Sequence, residues 1–309
     1  MKAVGVIGPD FQPRLFDVNE PIPARDGVVV EVMASSINEF DWAAARGHYA
    51  RQEDRLAPLL LGRDFVGRVA AAGEDVNYID VGMYVAGAMA PQASTQTGTF
   101  TDKVTVSAEL VAPVPDGIDL AHAAGVGLAA ISALDAVVAL GIEGPEIVLV
   151  HGPVSGAGGF ALQLAKARGA VVAALTVPEH ADLAWKLGAD VVVPAGANPK
   201  RAMESVPSLF GHGVDSAIHV AGNLAVAAEI VRPGGKFTSV CTATTSVRHV
   251  HSAFVPAAVA PNGHKLADLL FKVAAQRLRS QVDATVSFDQ IGDAVSSRND
   301  DSGRIVVVR

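Results

Sequence analysis

The residues most able to do chemistry lie close together near the middle of the chain. Val148-Leu149-Val150-His151 reads as a buried strand, Gly152-Pro153-Val154-Ser155-Gly156-Ala157-Gly158 as a turn, and Gly159-Phe160-Ala161 as the opening of a helix. Small residues in such a turn let backbone N–H groups and the positive end of a helix approach a pyrophosphate. A glycine pattern alone is weak evidence. The strand before it, the helix after it and the βα repeats that follow supply the confirming context. Ser155, Gly156, Ala157 and Gly158 are therefore the candidate phosphate cradle, with a purely structural turn as the alternative.

Other chemistries are poorly provided for. No two of the nine histidines stand four apart on a helix, and His249 and His251 fall in a loop with no acidic neighbour. The single cysteine, Cys241, excludes an intrachain disulfide and a cysteine-based zinc cluster, and fits a reducing compartment. It follows a strand and reads as a small buried residue. Gly211-His212-Gly213 sits in a turn, and no Gly-x-Ser-x-Gly elbow accompanies Ser132 or Ser155. No metal site is expected.

These residues need elements to hold them. The chain has 309 residues, half of them hydrophobic and 18% charged, which excludes a disordered chain and suggests about two domains. A net charge of −8 gives a nucleic acid nothing to bind, so no nucleic-acid partner is expected. The N-terminus lacks the apolar stretch of a signal peptide, and no apolar run approaches the length of a membrane helix, so a soluble cytoplasmic protein is expected. Short β segments open the chain: Gly27–Ala34, Phe65–Ala70 and Val104–Val106, separated by Gly- and Asp-containing turns. At Asp119, a helix cap, an Ala-rich helix begins and runs to about Leu140. Strands at 146–150, 170–175, 190–193, 214–219 and 236–240 then alternate with helices at 158–168 and 180–187, the pattern of a parallel sheet covered on both faces. The tail holds a helix at 263–277 and a β-like end at 304–308, and can return to the first domain.

Several stretches resemble the zinc-independent quinone oxidoreductase (zeta-crystallin-like) branch of the medium-chain dehydrogenase/reductase superfamily. Ala34-Ser35-Ser36-Ile37-Asn38 with Asp41 and Arg46-Gly47-His48-Tyr49 is similar to that family's active-site segment. Leu61-Gly62-Arg63-Asp64-Phe65-Val66-Gly67-Arg68-Val69, Gly98-Thr99-Phe100-Thr101-Asp102, Leu187-Gly188-Ala189-Asp190 and Arg232-Pro233-Gly234-Gly235 follow in family order. The chain departs from the pattern at Pro153, where a backbone donor is lost, at Gly82-Met83-Tyr84-Val85, and at Glu39, where the family has proline.

The resemblance implies an α/β fold, a Rossmann doubly wound parallel sheet inserted in a GroES-like β-rich domain. Residues 1–118 with 250–309 would form the GroES-like catalytic part, and 119–249 the nucleotide-binding part. It also implies a homodimer, binding of substrate and nicotinamide in an interdomain cleft, and reduction of a small quinone or α,β-unsaturated carbonyl by hydride from NADPH. No acid stands at Leu175 or Thr176, where an NAD enzyme holds the ribose 2′-OH. Thr176 can offer a hydroxyl, and His180 falls where the family often has a lysine for the 2′-phosphate. Glu179 would oppose a phosphate if it pointed inward, and His180 can equally be an exposed helix-start residue. Ser132 aligns with a threonine near the nicotinamide, and Val220 and Ala221, after the strand ending at His219, join the cofactor set. Asn38 and Tyr49 are placed beside nicotinamide and substrate, an amide to hold a carbonyl or hydroxyl and a phenol to relay a proton. Tyr49 as a pocket wall and Asp41 as either proton route or fold support stay open. Zinc-dependent members carry a Gly-His-Glu motif where Gly62-Arg63-Asp64 stands here. His151, before the turn, reads as a supporting residue. Two rival readings remain: an NADPH-binding protein with little or no catalysis, and a narrow enoyl reductase of specialised metabolism.

Overall fold

The computed structural model describes residues 1–8, 10–48, 58–90, 97–194, 204–206, 209–241, 251–297 and 304–309. The chain divides into two compact units, Met1–Ile131 with Pro261–Arg309, and Ser132–Ala260.

The second unit is built on six parallel strands ordered Val191–Pro194, Val171–Thr176, Ile147–His151, Val214–His219, Val231–Ser239 and Ala253–Phe254. Counted along the chain, that order is 3-2-1-4-5-6, the doubly wound arrangement. Ile147–His151 and Val171–Thr176 are mostly Val, Ala, Leu and Ile buried on both faces, as helix-covered parallel strands must be, and Val214–His219 beside them is buried apart from Asp215. Leu149, Leu175, Val193, Ala217, Ile230 and Phe237 form one core layer with them. The direction of winding reverses between Ile147–His151 and Val214–His219, and the crevice at their carboxyl ends is where such sheets take ligands.

The first unit is β-rich. Its spine is the ten-residue strand Gly27–Ser36, which pairs antiparallel with Asp64–Ala72, Lys103–Ser107 and Ile305–Val308. The chain's last strand thus lies against its third, in the register Val306 to Ser36, and the tail returns as the sequence suggests. The helix Glu39–Ala45 follows the spine directly. Glu39 is its first residue, a position where proline and glutamate are both tolerated because that N–H has no intrahelical partner. The family's proline is therefore replaced there without damage to the helix.

One expectation is corrected here. No apolar run of membrane length is expected from the sequence, but the helix Leu120–Leu140 is, by length and composition, apolar enough to cross a membrane. Most of its apolar window is buried inside the protein, as in a core helix, and it carries Asp135. Asp119 accepts the His122 N–H at 2.9 Å, as its capping position demands. The helix kinks at Gly127, a position that must be glycine because a Cβ there would stand 2.4 Å from the Asp64 Cβ.

Asp64 and Arg304 tie the two chain ends of this unit together. Both are buried. The Arg304 Nη1 donates to Ser36 Oγ at 3.0 Å, and that hydroxyl donates to Asp64 Oδ2 at 2.8 Å. Burial pushes the Asp64 carboxyl up from its ordinary pKa, while the Arg304 cation and bonds from Asn38 and Ser36 hold it down. Replacing Arg304 by Met strands this carboxylate without its cation. The expected result is a loss of about 3–5 kcal/mol in the unfolding free energy of this unit at pH 7, measured by urea titration. A loss under about 1 kcal/mol would mean that apolar packing alone holds the return strand.

Candidate active site

The glycine turn stands at the carboxyl end of the first strand of the doubly wound sheet. Gly152 has φ +85°, and a Cβ on it would lie 2.7 Å from that of Ala221. Ser155 caps the helix Gly156–Ala167: its hydroxyl donates to Gly152 O at 2.8 Å and accepts from Gly158 N–H at 3.2 Å. That bond consumes the Gly158 amide. The amides of Gly156 and Ala157, ahead of the first intrahelical bond, are the ones left to meet an anion. Gly158 acts instead by what it lacks, since a Cβ there would fall 1.9 Å from Gly152 O. Pro153 sits in the turn ahead of these amides and removes neither. A cradle that any side chain would fill fits the pyrophosphate of a dinucleotide.

Val220 and Ala221 lie across the reversal of strand order from this turn. Their N–H groups donate to His151 O at 2.9 and 3.2 Å, which holds the loop after Val214–His219 against the glycine turn. Gly222, at φ +87°, completes the loop, and a Cβ on it would reach within 2.5 Å of His151 Nε2. Thr176 is buried at the end of its strand, in register with Pro194. His180 closes the short 3-10 turn Pro178–His180 and is half-buried, while Glu179 is exposed. Ser132 is buried in the long helix.

Two histidines, unconnected in the sequence, meet beneath this loop. The rings of His151 and His219 are 5.6 Å apart and inclined at 69°. His219 Nε2 lies 3.1 Å from Gly222 O, which can only accept, so the proton is on Nε2. Its Nδ1 then accepts the Ser239 hydroxyl at 2.9 Å, and Ser239 Oγ in turn accepts the Cys241 N–H. The Cys241 thiol donates to Val220 O at 2.9 Å, and the residue is half-buried. His151 Nδ1 has no hydrogen-bond partner among the described residues. Burial, aided by the neighbouring His219, lowers the His151 pKa to about 4, and burial lowers that of His219 as well. Both are neutral at pH 7. Sequence reasoning placed His219 in a strand and missed this pair; strand register brings His219 beside His151, and no motif announces that.

In the first unit, Asn38 and Asp41 form a reciprocal cap at the start of Glu39–Ala45. Asp41 is fully buried, and its two oxygens accept Asn38 N–H at 2.8 Å and Gly62 N–H at 2.7 Å. Burial pushes its pKa up to about 7 against the pull of those amides and of Arg63. Both oxygens are thus committed to the backbone. The Asn38 Nδ2 donates to Ser36 O and to Asp64 Oδ2, each at 3.0 Å, which occupies both of its hydrogens. The amide oxygen of Asn38, which accepts the Asp41 N–H in that cap, keeps one lone pair for another molecule. Tyr49 lies outside the described residues, as does His249.

Arg63 is completely buried at the position of the family's Gly-His-Glu histidine. Its Nη1 donates to Leu60 O, Gly62 O and Thr97 O at 2.8–3.1 Å, and the guanidinium lies 3.8 Å above the Phe40 ring. No cluster of three His, Cys, Asp or Glu side chains able to ligate a metal occurs among the described residues. This donor set does not fit a catalytic zinc.

A doubly wound sheet with a glycine turn at its switch point, and a β-rich unit built from both chain ends, are the two parts that the resemblance implies. The description "Alcohol dehydrogenase GroES-like domain" matches residues 24–116, and "Zinc-binding dehydrogenase" matches residues 156–270. The chain belongs to the medium-chain dehydrogenase/reductase superfamily. It is 32% identical over 176 residues, 55% of its length, to a zinc-type alcohol dehydrogenase-like protein of Schizosaccharomyces pombe, of which it spans 50%. It is 28% identical to the chloroplastic NADPH-dependent alkenal/one oxidoreductase of Arabidopsis thaliana, over 92% of this chain and 72% of that one. The quinone oxidoreductase of Coxiella burnetii has the same fold, with a TM-score of 0.84 at 21% identity over 100% of this chain and 99% of that one.

The buried His151 makes stability depend on acidity in a defined sense. Its folded pKa of about 4 lies below the ordinary 6.5, so the unfolded chain takes up a proton first as the pH falls. The contribution is complete above pH 6.5 and is lost as the pH drops towards 4, by at most roughly 3 kcal/mol. Urea unfolding of the native protein and of His151→Leu at pH 7 and pH 4.5 checks this. The variant is expected to lose less stability on acidification, and parallel losses would refute the assignment.

Proposed function

We propose that the protein reduces quinones or α,β-unsaturated carbonyls with NADPH and without a metal. The observation that carries this reading is the pairing of the dinucleotide cradle with a first unit that has Arg63 in place of a metal ligand. The names of its relatives support it: one is an NADPH-dependent alkenal/one oxidoreductase and the solved neighbour a quinone oxidoreductase. NADPH, when bound, supplies the hydride, and an enone or quinone accepts it without strong Lewis-acid activation.

The chain's own residues bind, orient and deliver a proton. Gly156 and Ala157 N–H groups receive the pyrophosphate, with Val220 and Ala221 shaping the facing wall. Thr176 and His180 meet the 2′-phosphate, since no acid ends the second strand and Glu179 points to solvent. Ser132 lies towards the nicotinamide. Asn38 offers its amide oxygen to a hydroxyl of cofactor or substrate; with both hydrogens in use, it does not polarise a substrate carbonyl. Tyr49 donates the proton that ends on the product, its phenol being neutral at pH 7. Asp41 supports the loop rather than relaying protons, because both its oxygens hold backbone amides. We also infer a homodimer and a cytoplasmic location, as in the family.

A kinetic comparison tests this. NADPH oxidation is followed with a panel of quinones and enones, and NADPH and NADH affinities are measured by fluorescence titration. NADPH is expected to bind more tightly and to be consumed. Asn38→Ala should weaken NADPH binding or raise KM about 2–12-fold, the cost of one hydrogen bond. Tyr49→Phe should lower kcat at least tenfold with cofactor affinity kept. Turnover within about twofold, below roughly 0.4 kcal/mol, would make Tyr49 a pocket wall and water the proton source. Stoichiometric NADPH binding with no oxidation across the panel would support the non-catalytic reading instead.

A further inference from the structure

Asp64 is placed to do more than pair with the chain's C-terminal arginine. Its Oδ1 accepts Ser36 N–H at 2.8 Å, and its Oδ2 accepts Ser36 Oγ–H at 2.8 Å, Asn38 Nδ2–H at 3.0 Å and Leu128 N–H at 3.3 Å. The carboxylate is wholly buried, so no water competes for these bonds. An ionised carboxylate only accepts. The half of the Asn38 amide that faces it must therefore be the NH2, and the oxygen must face away. The Ser36 carbonyl, 3.0 Å from the same nitrogen, enforces the same choice. Two acceptors thus decide which end of an otherwise near-symmetric amide is presented.

We propose that Asp64 is the positioning residue of this site, holding Asn38 so that it presents an acceptor, never a donor, to the molecule it meets. The specificity consequence follows directly: the groups recognised by Asn38 are hydroxyls or N–H groups, and a substrate carbonyl placed there is repelled. The helix kink belongs to the same device. Leu128 N–H, next to the break at Gly127, completes the shell of Oδ2, and Gly127 itself leaves the room that the carboxylate occupies. This inference rests on the reading that Asn38 serves cofactor or substrate, and its test separates the two.

The full chain is labelled with 15N-asparagine, and the Asn38 side-chain amide is assigned by its loss in Asn38→Ala. Its protons are expected to exchange at least tenfold more slowly than those of a solvent-exposed asparagine. In Asp64→Asn the protection should disappear. NADPH titration completes a double-mutant cycle: Asp64→Asn should weaken binding as much as Asn38→Ala, and the double variant no further. An unchanged Asn38 signal in Asp64→Asn, or losses that add, would overturn the proposal. If Asn38→Ala itself leaves NADPH affinity and KM unchanged, the role of Asn38 falls, while the exchange measurement still decides that of Asp64. Should Asp64→Asn fail to fold, Asn38→Asp gives a second reading. Facing Asp64, with Asp41 and Arg304 as the other charged groups of the cluster, the new carboxylate resists ionisation. NADPH affinity of that variant should then fall as the pH is raised. A flat profile would overturn the proposal.

Discussion

The architecture of the nucleotide-binding unit depends on one close approach of backbone to backbone. Gly158, in the first turn of its helix, comes so near the Gly152 carbonyl that a Cβ would sit 1.9 Å from the oxygen. That proximity draws the helix N-terminus back over the end of the first strand. From it follow the direction of the free amides of Gly156 and Ala157, the Ser155 cap that relieves Gly158, and the seat of the Val220–Gly222 loop on His151. The helix dipole and unsatisfied N–H groups then face the crevice where the strand order reverses. The cradle that we propose for a dinucleotide results from a missing methyl group and the packing it permits.

The β-rich unit solves the opposite problem. There the organising feature is charge, not absence. Asp64 is ionisable, wholly buried and unable to reach water, and it persists because four donors and a nearby arginine surround it. Asp41 does the same a few residues away with two backbone amides, and Arg63 spends its guanidinium on three carbonyls and an aromatic face. These groups share Asn38, Gly62 and Ser36, so each supports the next. Their cost is repaid in orientation: the one amide in their midst has its direction decided. The two histidines of the other unit act in a milder way, neutral and half-satisfied, as a stiff support for the loop above them.

Much of this was legible in the sequence, for identifiable reasons. The alternation of Val-rich runs with helical stretches implied the parallel sheet because buried strands must read as continuous apolar segments. The glycine turn implied a close backbone approach, since only small residues permit one, and Gly158 lies against the Gly152 carbonyl as that requires. The return of the tail was one option for the β-like run Arg304–Val308, and pairing of Val306–Val308 with Ala34–Ser36 realises it. What stayed hidden were contacts set by register and by burial of charge. His219 meets Ser239 and His151 only once three parallel strands are aligned, and Asp64 reaches Asn38 only when antiparallel strands bring residues 36 and 64 together. The sequence offers Gly158 for its amide, whereas in the structure that amide is bonded to Ser155 Oγ and the lack of a side chain is what the turn needs. In the helix Leu120–Leu140, His122, Ser132 and Asp135 interrupt the apolar run, yet the mean hydropathy stays high enough for a membrane span.

The central claim is that the switch point of the second unit holds a dinucleotide through a cradle only glycine allows. Calorimetric titration of the full-length protein with NADPH, native beside Gly158→Ala, tests it most directly, with circular dichroism recorded on both. The account requires saturable binding by the native chain at one site per subunit. It also requires at least a tenfold loss of affinity in the variant, whose secondary structure is retained. Equal affinity in the two proteins, or no binding by the native chain, would contradict it.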